Sequence, residues 1–105
     1  MKVVYLLTTT FPKSEEFSLS NQIRRSAVSI PSNIAEGYLR GHKLEYIRFL
    51  NIAFGSAAEL ETQLIIAKEL GFGDKKTLKD AELLVVEVLK MLNTLISRLK
   101  GKHGV

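Results

Sequence analysis

Apolar side chains in the last third of the chain recur with alternating steps of three and four residues. The set is Leu78, Ala81, Val85, Val88, Leu92, Leu95 and Leu99. This period predicts an amphipathic helix over about residues 75–100 with one buried face. Asp74 is suited to cap its start, and Arg98, Lys100 and Lys102 suit the negative end of the helix dipole.

A second long helix is predicted over about residues 43–70, where one seam is again apolar. Its members are Tyr46, Leu50, Ala53, Ala57, Leu60, Leu64 and Ala67. The middle of this segment, residues 53–58, is unusually small and includes Gly55. Because glycine costs a helix about 1 kcal/mol relative to alanine, we expect a neighbouring helix to approach closely there. Gly71 is expected to end the helix in a left-handed conformation.

A third long helix is predicted over about residues 19–40, and Ser18 or Ser20 is expected to cap its start. The residues expected to face inward are Ile23, Ala27, Ile30, Ile34 and Tyr38. Pro31 removes one backbone hydrogen bond and crowds the carbonyl of Ala27. The inward residues keep their phase across Pro31, so the pattern favours one kinked helix over two separate ones.

The first segment, residues 2–9, is predicted to form a short helix because a lone strand would have no partner in a helical chain. A helix of this length spans only about 12 Å, against about 40 Å for the longest of the others. Three long helices and one short helix should therefore leave part of an apolar groove uncovered. A partner chain could cover it.

Composition places the chain among ordinary globular proteins. It has 105 residues, of which 46% are hydrophobic and 25% charged, so we expect one helical-bundle domain spanning 1–105. The absence of cysteine excludes disulfides and thiolate metal sites. No apolar run reaches the roughly 18 residues of a membrane span, so we predict a soluble, cytoplasmic protein with no membrane partner.

The formal net charge is +4, and the basic residues fall into three groups. The first group lies around the predicted turn at Gly41 and consists of Arg40, His42, Lys43 and Arg48. The second group is Arg24 and Arg25, near the other end of the helix predicted for residues 19–40. The third group is the basic tail from Arg98 to His103. No aromatic residues alternate with these bases, so any nucleic acid would be bound mainly through its phosphate backbone. For the tail, compensation of the helix dipole and solubility are the favoured explanation.

A polar stripe runs along the helix predicted for residues 19–40, opposite its apolar face. Its members are Gln22, Arg25, Ser29, Asn33, Glu36 and Arg40. Three interpretations stay open: a solvated face with a Glu36–Arg40 ion pair, a structural interface, or a direct contact to nucleic acid.

Catalytic and metal-binding patterns are absent from the sequence. Glu59 and Glu61 are two residues apart and point in different directions, and neither belongs to a Glu-x-x-His pair. The two histidines, His42 and His103, fall in a turn and a tail. We therefore expect no enzyme, no metal and no cofactor. Glu36 and Glu61 are candidates for inward-facing groups that pair with Arg24, Arg25 or Arg48 and fix helix register.

Several short strings resemble those of a known family. They are Phe11-Pro12 with Glu16-Phe17, Gln22-Ile23-Arg24-Arg25, Ser29-Ile30-Pro31, Asn33-Ile34-Ala35-Glu36-Gly37, Arg40, Phe49-Leu50 and Gly55-Ser56-Ala57-Ala58-Glu59-Leu60-Glu61-Thr62. The resemblance is to the bacterial four-helix-bundle proteins encoded in 23S rRNA intervening sequences. It covers the chain from Tyr5 to about Leu99. The same fold family includes the accessory variability protein of diversity-generating retroelements.

This resemblance implies an all-α, antiparallel up-down four-helix bundle that assembles with itself as a homopentamer. Its retroelement relatives pair with a reverse transcriptase and bind nucleic acid through a basic surface, whereas the intervening-sequence members have no established biochemical activity. Members of the family usually begin with a longer first helix, of which only the last turns are expected here, either because the start of the sequence is assigned late or because the first helix is truncated. The candidate residues for contact with RNA or DNA are Arg24, Arg25, Arg40, Lys43 and Arg48. Asn33, Glu36 and Glu61 are the candidate structural polar residues. The rival hypothesis is a protein-binding adaptor whose basic residues touch no nucleic acid.

Overall fold

Four α-helices account for most of residues 1–15 and 18–101, which are the residues that the computed structural model describes. The helices are α1 (Lys2–Thr8), α2 (Leu19–Leu39), α3 (Lys43–Leu70) and α4 (Lys75–Lys100), and a short 3₁₀ turn spans Lys13–Glu15. These bounds confirm the three long helices and the short first one. Glu16, Phe17 and the tail residues Lys102 and His103 lie outside the described residues.

The helices form an antiparallel up-down bundle about 45 Å long. α3 lies between α2 and α4 and packs on both, while α1 contacts α2 and α4. Over their full described lengths, α2 and α4 have no Cα atoms within 8 Å of each other. The predicted all-α fold with a short first helix is therefore confirmed. None of the helices in the described residues is long and apolar enough to cross a membrane.

The core is built on the predicted seam of α3, which lies at the centre of the molecule. Its fully buried members are Leu50, Ala53, Ala57, Leu60, Leu64 and Ala67. Ile23 and Ala27 of α2, Val4 and Leu7 of α1, and Val85 of α4 are equally buried around it. Burial of one such large side chain contributes about 1.5–3 kcal/mol, so these residues are the main source of stability.

α2 is one continuous helix with Pro31 inside it, as its hydrophobic phase indicated. The prediction that Tyr38 faces inward is wrong, because 72% of its surface is exposed. Tyr38 packs instead with its edge toward Tyr46, at 5.9 Å between ring centroids. Ser18 occupies the N-cap position without capping the helix. Its hydroxyl donates to the Glu15 carboxylate at 2.8 Å.

The close approach of α2 to α3 involves a different glycine from the one that the sequence suggested. A Cβ added to Gly55 would meet nothing within 4 Å, so this glycine faces open space. A Cβ added to Gly37, near the end of α2, would lie 2.6 Å from Cβ of Phe49 on α3. In the segment of small residues at 53–58, Ala53 and Ala57 are fully buried in the core.

The turn between α3 and α4 holds α1 in place. Gly71 adopts the predicted left-handed conformation, with φ 72°. The ring of Phe72 lies 5.8 Å from that of Phe11, between centroids. The backbone N–H of Asp74 donates to the Thr10 hydroxyl at 2.9 Å. Residues that follow α1 and residues of the α3–α4 turn therefore close this end of the bundle together.

Asp74 caps α4 as predicted. Its carboxylate accepts from the backbone N–H of Thr77 at 3.0 Å and from the Thr77 hydroxyl at 2.8 Å. The bond from the Thr77 backbone, followed by the bond from its side chain, lowers the pKa of Asp74 below its ordinary value. A carboxyl whose pKa is lower in the folded state stabilises the fold above its unfolded pKa. That contribution is lost as the pH falls through the folded pKa.

We therefore expect Asp74→Asn to reduce the pH dependence of stability below roughly pH 4, since asparagine also caps helices but does not titrate. The measurement is urea unfolding followed by circular dichroism between neutral and acid pH. Asp80→Asn, at an exposed carboxylate of the same helix that pairs with Lys76 at 3.3 Å, is the control. Identical acid profiles for the wild type and Asp74→Asn would contradict the prediction.

An apolar groove between α2 and α4 stays open, as the short first helix led us to expect. It begins at Met1 and has a volume of about 750 Å³. Its walls include Ile30 and Ile34 of α2 and Met91 and Leu95 of α4.

Candidate nucleic-acid interface

The turn between α2 and α3 gathers four basic side chains, Arg40, His42, Lys43 and Arg48, which we call the basic corner. Gly41 permits the reversal with φ 74°. All four side chains are exposed. The guanidinium carbons of Arg40 and Arg48 lie 5.1 and 4.5 Å from the centroid of the Phe49 ring. Cation–π contacts of this kind restrain long arginine side chains.

Two carboxylates share the basic corner. Glu36 pairs with Arg40 at 3.1 Å, and Glu45 pairs with Arg48 at 2.9 Å. The hydrogen bond from Arg48 is the main cause that lowers the pKa of Glu45, and the charges of Arg48, Arg40 and His42 act in the same direction. The same bond raises the pKa of Arg48. Lys43 has no ion-pair partner among the described residues. The corner therefore carries a small excess of positive charge.

Large apolar side chains surround the basic corner. Leu39 and Leu44 are each 80% exposed, and Tyr38 stands beside them. Exposed apolar groups that lie together on a surface commonly mark an interaction site. The corner therefore offers both cations and apolar area to a partner.

Arg24 and Arg25 lie at the other end of α2, sixteen residues or about 24 Å from the corner. Arg24 donates from Nε to the Thr8 hydroxyl at 2.8 Å and lies 5.7 Å from the centroid of the Tyr5 ring. Arg24 therefore helps to hold α1 on α2. Arg25 is exposed. The five predicted contact residues thus form two separate groups.

The middle of the polar stripe lies at the packing interface between α2 and α3. The hydroxyls of Ser29 and Ser56 are 2.8 Å apart, and Asn33 Nδ2 donates to the Ser29 carbonyl and hydroxyl at 2.8 and 2.9 Å. Gln22 and Arg25 at one end, and Glu36 and Arg40 at the other, are exposed. The stripe thus combines a solvated face at both ends with a helix interface at its centre.

The two candidate structural glutamates lie near the surface. Glu36 pairs with Arg40 of its own helix, and not with Arg24, Arg25 or Arg48. Glu61 is partly exposed on α3 and forms no ion pair with any residue that the structure describes.

Two polar clusters were missed at the sequence level. Glu59 accepts from the Ser26 hydroxyl at 2.8 Å and from Gln63 Nε2 at 3.3 Å, which extends the polar contact between α2 and α3. The second cluster, Lys68, Lys75 and Lys79, lines a cavity of about 360 Å³ beside the α3–α4 turn. The four-residue spacing of the last two was visible in the sequence. Their proximity to Lys68 depends on the reversal of the chain at Gly71 and Gly73.

Within residues 1–15 and 18–101, no three His, Asp or Glu side chains are grouped so as to hold a metal ion. The fold and this surface define a class: small up-down helical bundles with a polar α2–α3 interface and a basic inter-helix corner.

Within that class, the family model described as "23S rRNA-intervening sequence protein" matches residues 1–94. The chain therefore belongs to the family of 23S rRNA-intervening sequence proteins. A solved structure from Bacteroides thetaiotaomicron, described as a protein with unknown function from the S23 ribosomal protein family, is 30% identical. The alignment covers 80% of this chain and 78% of that one, with a TM-score of 0.74. No curated protein matches the chain.

Proposed function

We propose that this chain is a non-enzymatic, cytoplasmic subunit of a homo-oligomer, a homopentamer, that contacts the phosphate backbone of RNA or DNA through its basic corner. The observation that carries the proposal is the placement of Arg40 and Arg48 against one ring, that of Phe49. Guanidinium groups held in place lose less entropy when they bind a phosphate, and their forked donors match its oxygens. Lys43, exposed five residues before Arg48 on α3, adds a third cation.

The exposed apolar side chains support self-assembly. Tyr38, Leu39 and Leu44 lie together at one end of the molecule, where a neighbouring subunit would remove them from water. A subunit seated there would also place the basic corners of several copies close together. Each copy would then add its cations to one extended phosphate-binding surface, which compensates for the small charge excess of a single corner.

The test is fluorescence anisotropy with a structured RNA, duplex DNA and single-stranded DNA across a salt series. The double charge reversal Arg40→Glu/Lys43→Glu should weaken binding about tenfold or more and reduce the log–log salt slope by about two. Lys75→Glu/Lys79→Glu makes the same charge change at the opposite end of the bundle and should weaken binding much less. Loss of binding in that control alone would place the site at the lysine cavity and overturn the proposal.

The second candidate function is a protein-binding adaptor, which the apolar surroundings of the corner favour. Light scattering on the corner double variant separates the two functions. If nucleic acid binds the corner, affinity falls while the mass of the assembly stays the same. If the corner is only a protein interface, the assembly dissociates and the wild type binds no nucleic acid even at low salt.

A further inference from the structure

The cavity beside the α3–α4 turn combines apolar and charged side chains in its lining. Its volume is about 360 Å³, which lies within the usual range of small-molecule sites, about 300–1,000 Å³. Leu78 is buried and Phe72 is partly buried against the core, and both contribute apolar surface to the cavity. The other side chains of the lining all carry a charge, and they are Lys68, Lys75, Lys79 and Glu82.

The three lysines of the cavity have no carboxylate partner among the described residues. Lys68, Lys75 and Lys79 are exposed, and none of them forms an ion pair there. Lys75 and Lys79 are four residues apart on α4, so they project from the same face of that helix. Glu82 lines the same cavity without pairing with any of the three. The lining therefore presents three positive charges against one negative charge.

The stability of α4 does not explain lysine at its start. The helix begins with Lys75 and Lys76, and its first turn contains no acidic residue. Cations at the start of a helix oppose its dipole, whereas Lys68, in the last turn of α3, is favoured by the dipole of that helix. Of the nearby carboxylates, Asp74 caps the helix and Asp80 pairs with Lys76, so neither pairs with Lys75. A local rule that is broken without an evident structural gain marks a candidate functional position.

The lining of the cavity matches the chemistry of an organic phosphate. Lysine ammonium groups bind phosphate oxygens through charge-assisted hydrogen bonds, and three of them suit the several charges of a di- or triphosphate. Phe72 and Leu78 offer apolar surface to a flat group such as a nucleobase. Gly71 also lines the cavity, and an added Cβ there would meet nothing within 4 Å, so no side chain at this position narrows the opening.

An extended polynucleotide is a poorer match for this cavity. Its phosphates follow one another along a strand, and a protein binds them with cations that are spread along the same path. The three lysines are instead grouped around one cavity at a single turn of the chain. Their arrangement suits a compact anion.

We propose that the α3–α4 cavity binds a nucleoside di- or triphosphate, with the phosphates on Lys68, Lys75 and Lys79 and the base against Phe72 and Leu78. The basic corner lies at the opposite end of α3, a helix of 28 residues, so the two sites are about 40 Å apart. The cavity site therefore does not rest on the function proposed for the corner.

A fluorescent ATP analogue with its dye on the ribose tests the proposal in anisotropy titrations of the full chain. The titrations omit magnesium, which would compete with the lysines for the phosphates. Unlabelled ATP, ADP and AMP should displace the probe in that order, with affinity falling roughly tenfold for each phosphate that is lost. Adenosine should not displace it. Tripolyphosphate should compete less well than ATP because it has no base to place against Phe72.

Three variants locate the site. Lys75→Ala/Lys79→Ala should weaken ATP binding about tenfold or more. Lys76→Ala/Lys90→Ala removes the same charge from the same helix outside the cavity and should weaken binding by less than about twofold. Glu82→Gln removes the one carboxylate of the lining and should tighten binding, a gain that partial unfolding cannot produce. Circular dichroism and a melting curve confirm that each variant folds.

Several results would overturn the proposal. They are no displacement of the probe by ATP, equal competition by ATP and tripolyphosphate, and ATP binding that Lys75→Ala/Lys79→Ala leaves intact. If ATP does not displace the probe but a structured RNA does, and the same double variant also loses RNA binding, the occupant of the cavity is a polynucleotide.

Discussion

Replacing Gly73 with alanine should lower the free energy of unfolding by about 2–5 kcal/mol, the sum of a backbone and a packing cost. Gly73 has φ +86°, a conformation that residues with a Cβ rarely adopt. An added Cβ would also lie 2.8 Å from Cδ1 of Leu7 and 2.8 Å from Cε1 of Phe11. Both contacts are too short for carbon atoms, so part of the structure must move.

Neither Leu7 nor Phe11 can move away from Gly73 without disturbing the core. Leu7 is fully buried on the inner face of α1, and Phe11 is almost fully buried against Phe72. The added methyl group would therefore push α1 away from the α3–α4 turn. We expect the hydrogen bond between the Asp74 N–H and the Thr10 hydroxyl to weaken with it, since it joins the same two segments.

Urea unfolding of Gly73→Ala and Gly71→Ala separates the two costs. Gly71 has φ +72°, but a Cβ there would meet nothing within 4 Å. Gly71→Ala should therefore lose only the backbone cost, about 1–2 kcal/mol. Equal losses in the two variants would show that packing against Leu7 and Phe11 contributes nothing.

Hydrophobic period was enough to predict the helices because each long helix buries one stripe against its neighbours. The seam of α3 predicted from residues 43–70 is the seam that the structure buries, apart from partly buried Tyr46. The predicted helix ends are also confirmed at Asp74, which caps the start of α4, and at Gly71, which ends α3 in a left-handed conformation. Both features depend on the chemistry of the residue itself. Local chemistry and periodicity together therefore set the bounds of α3 and α4.

The helical repeat of apolar residues does not by itself show where a neighbouring helix ends. Tyr38 shares the face of Ile30 and Ile34, but it lies in the last turn of α2, beyond the core. For the same reason the sequence could not distinguish Gly55, which faces open space, from Gly37, which faces α3. Both are glycines inside helices, and only the position of the adjacent helix separates them.

The cations of the candidate interface and their grouping at the turn were predictable from the sequence, but the contacts of their side chains were not. The sequence identified the cations of the basic corner because they adjoin the turn at Gly41. It did not show that Arg40 and Arg48 share the ring of Phe49, since that contact depends on how α2 and α3 meet. Nor did it place Lys68 beside Lys75 and Lys79.

Gly37→Ala should lower the free energy of unfolding by about 1–3 kcal/mol, although alanine is the better helix former. The added Cβ would lie 2.6 Å from Cβ of Phe49 and 3.2 Å from Cδ1 of Tyr46. The Cβ of Phe49 is bonded directly to the backbone, so it cannot rotate away. α2 and α3 must therefore separate at the corner, and the Phe49 ring must shift beneath Arg40 and Arg48.

Gly55→Ala is the matched control for Gly37→Ala, because it makes the same change inside a helix where a Cβ meets nothing within 4 Å. It should raise the free energy of unfolding by up to about 1 kcal/mol. Urea unfolding measures both variants, and a stabilising Gly37→Ala would contradict the close packing at Phe49.

If the basic corner binds phosphate through arginines held on the ring of Phe49, Gly37→Ala should also weaken RNA binding at temperatures where the variant is folded. Gly55→Ala should not, so the pair tests whether the geometry of the corner, and not its charge alone, determines affinity.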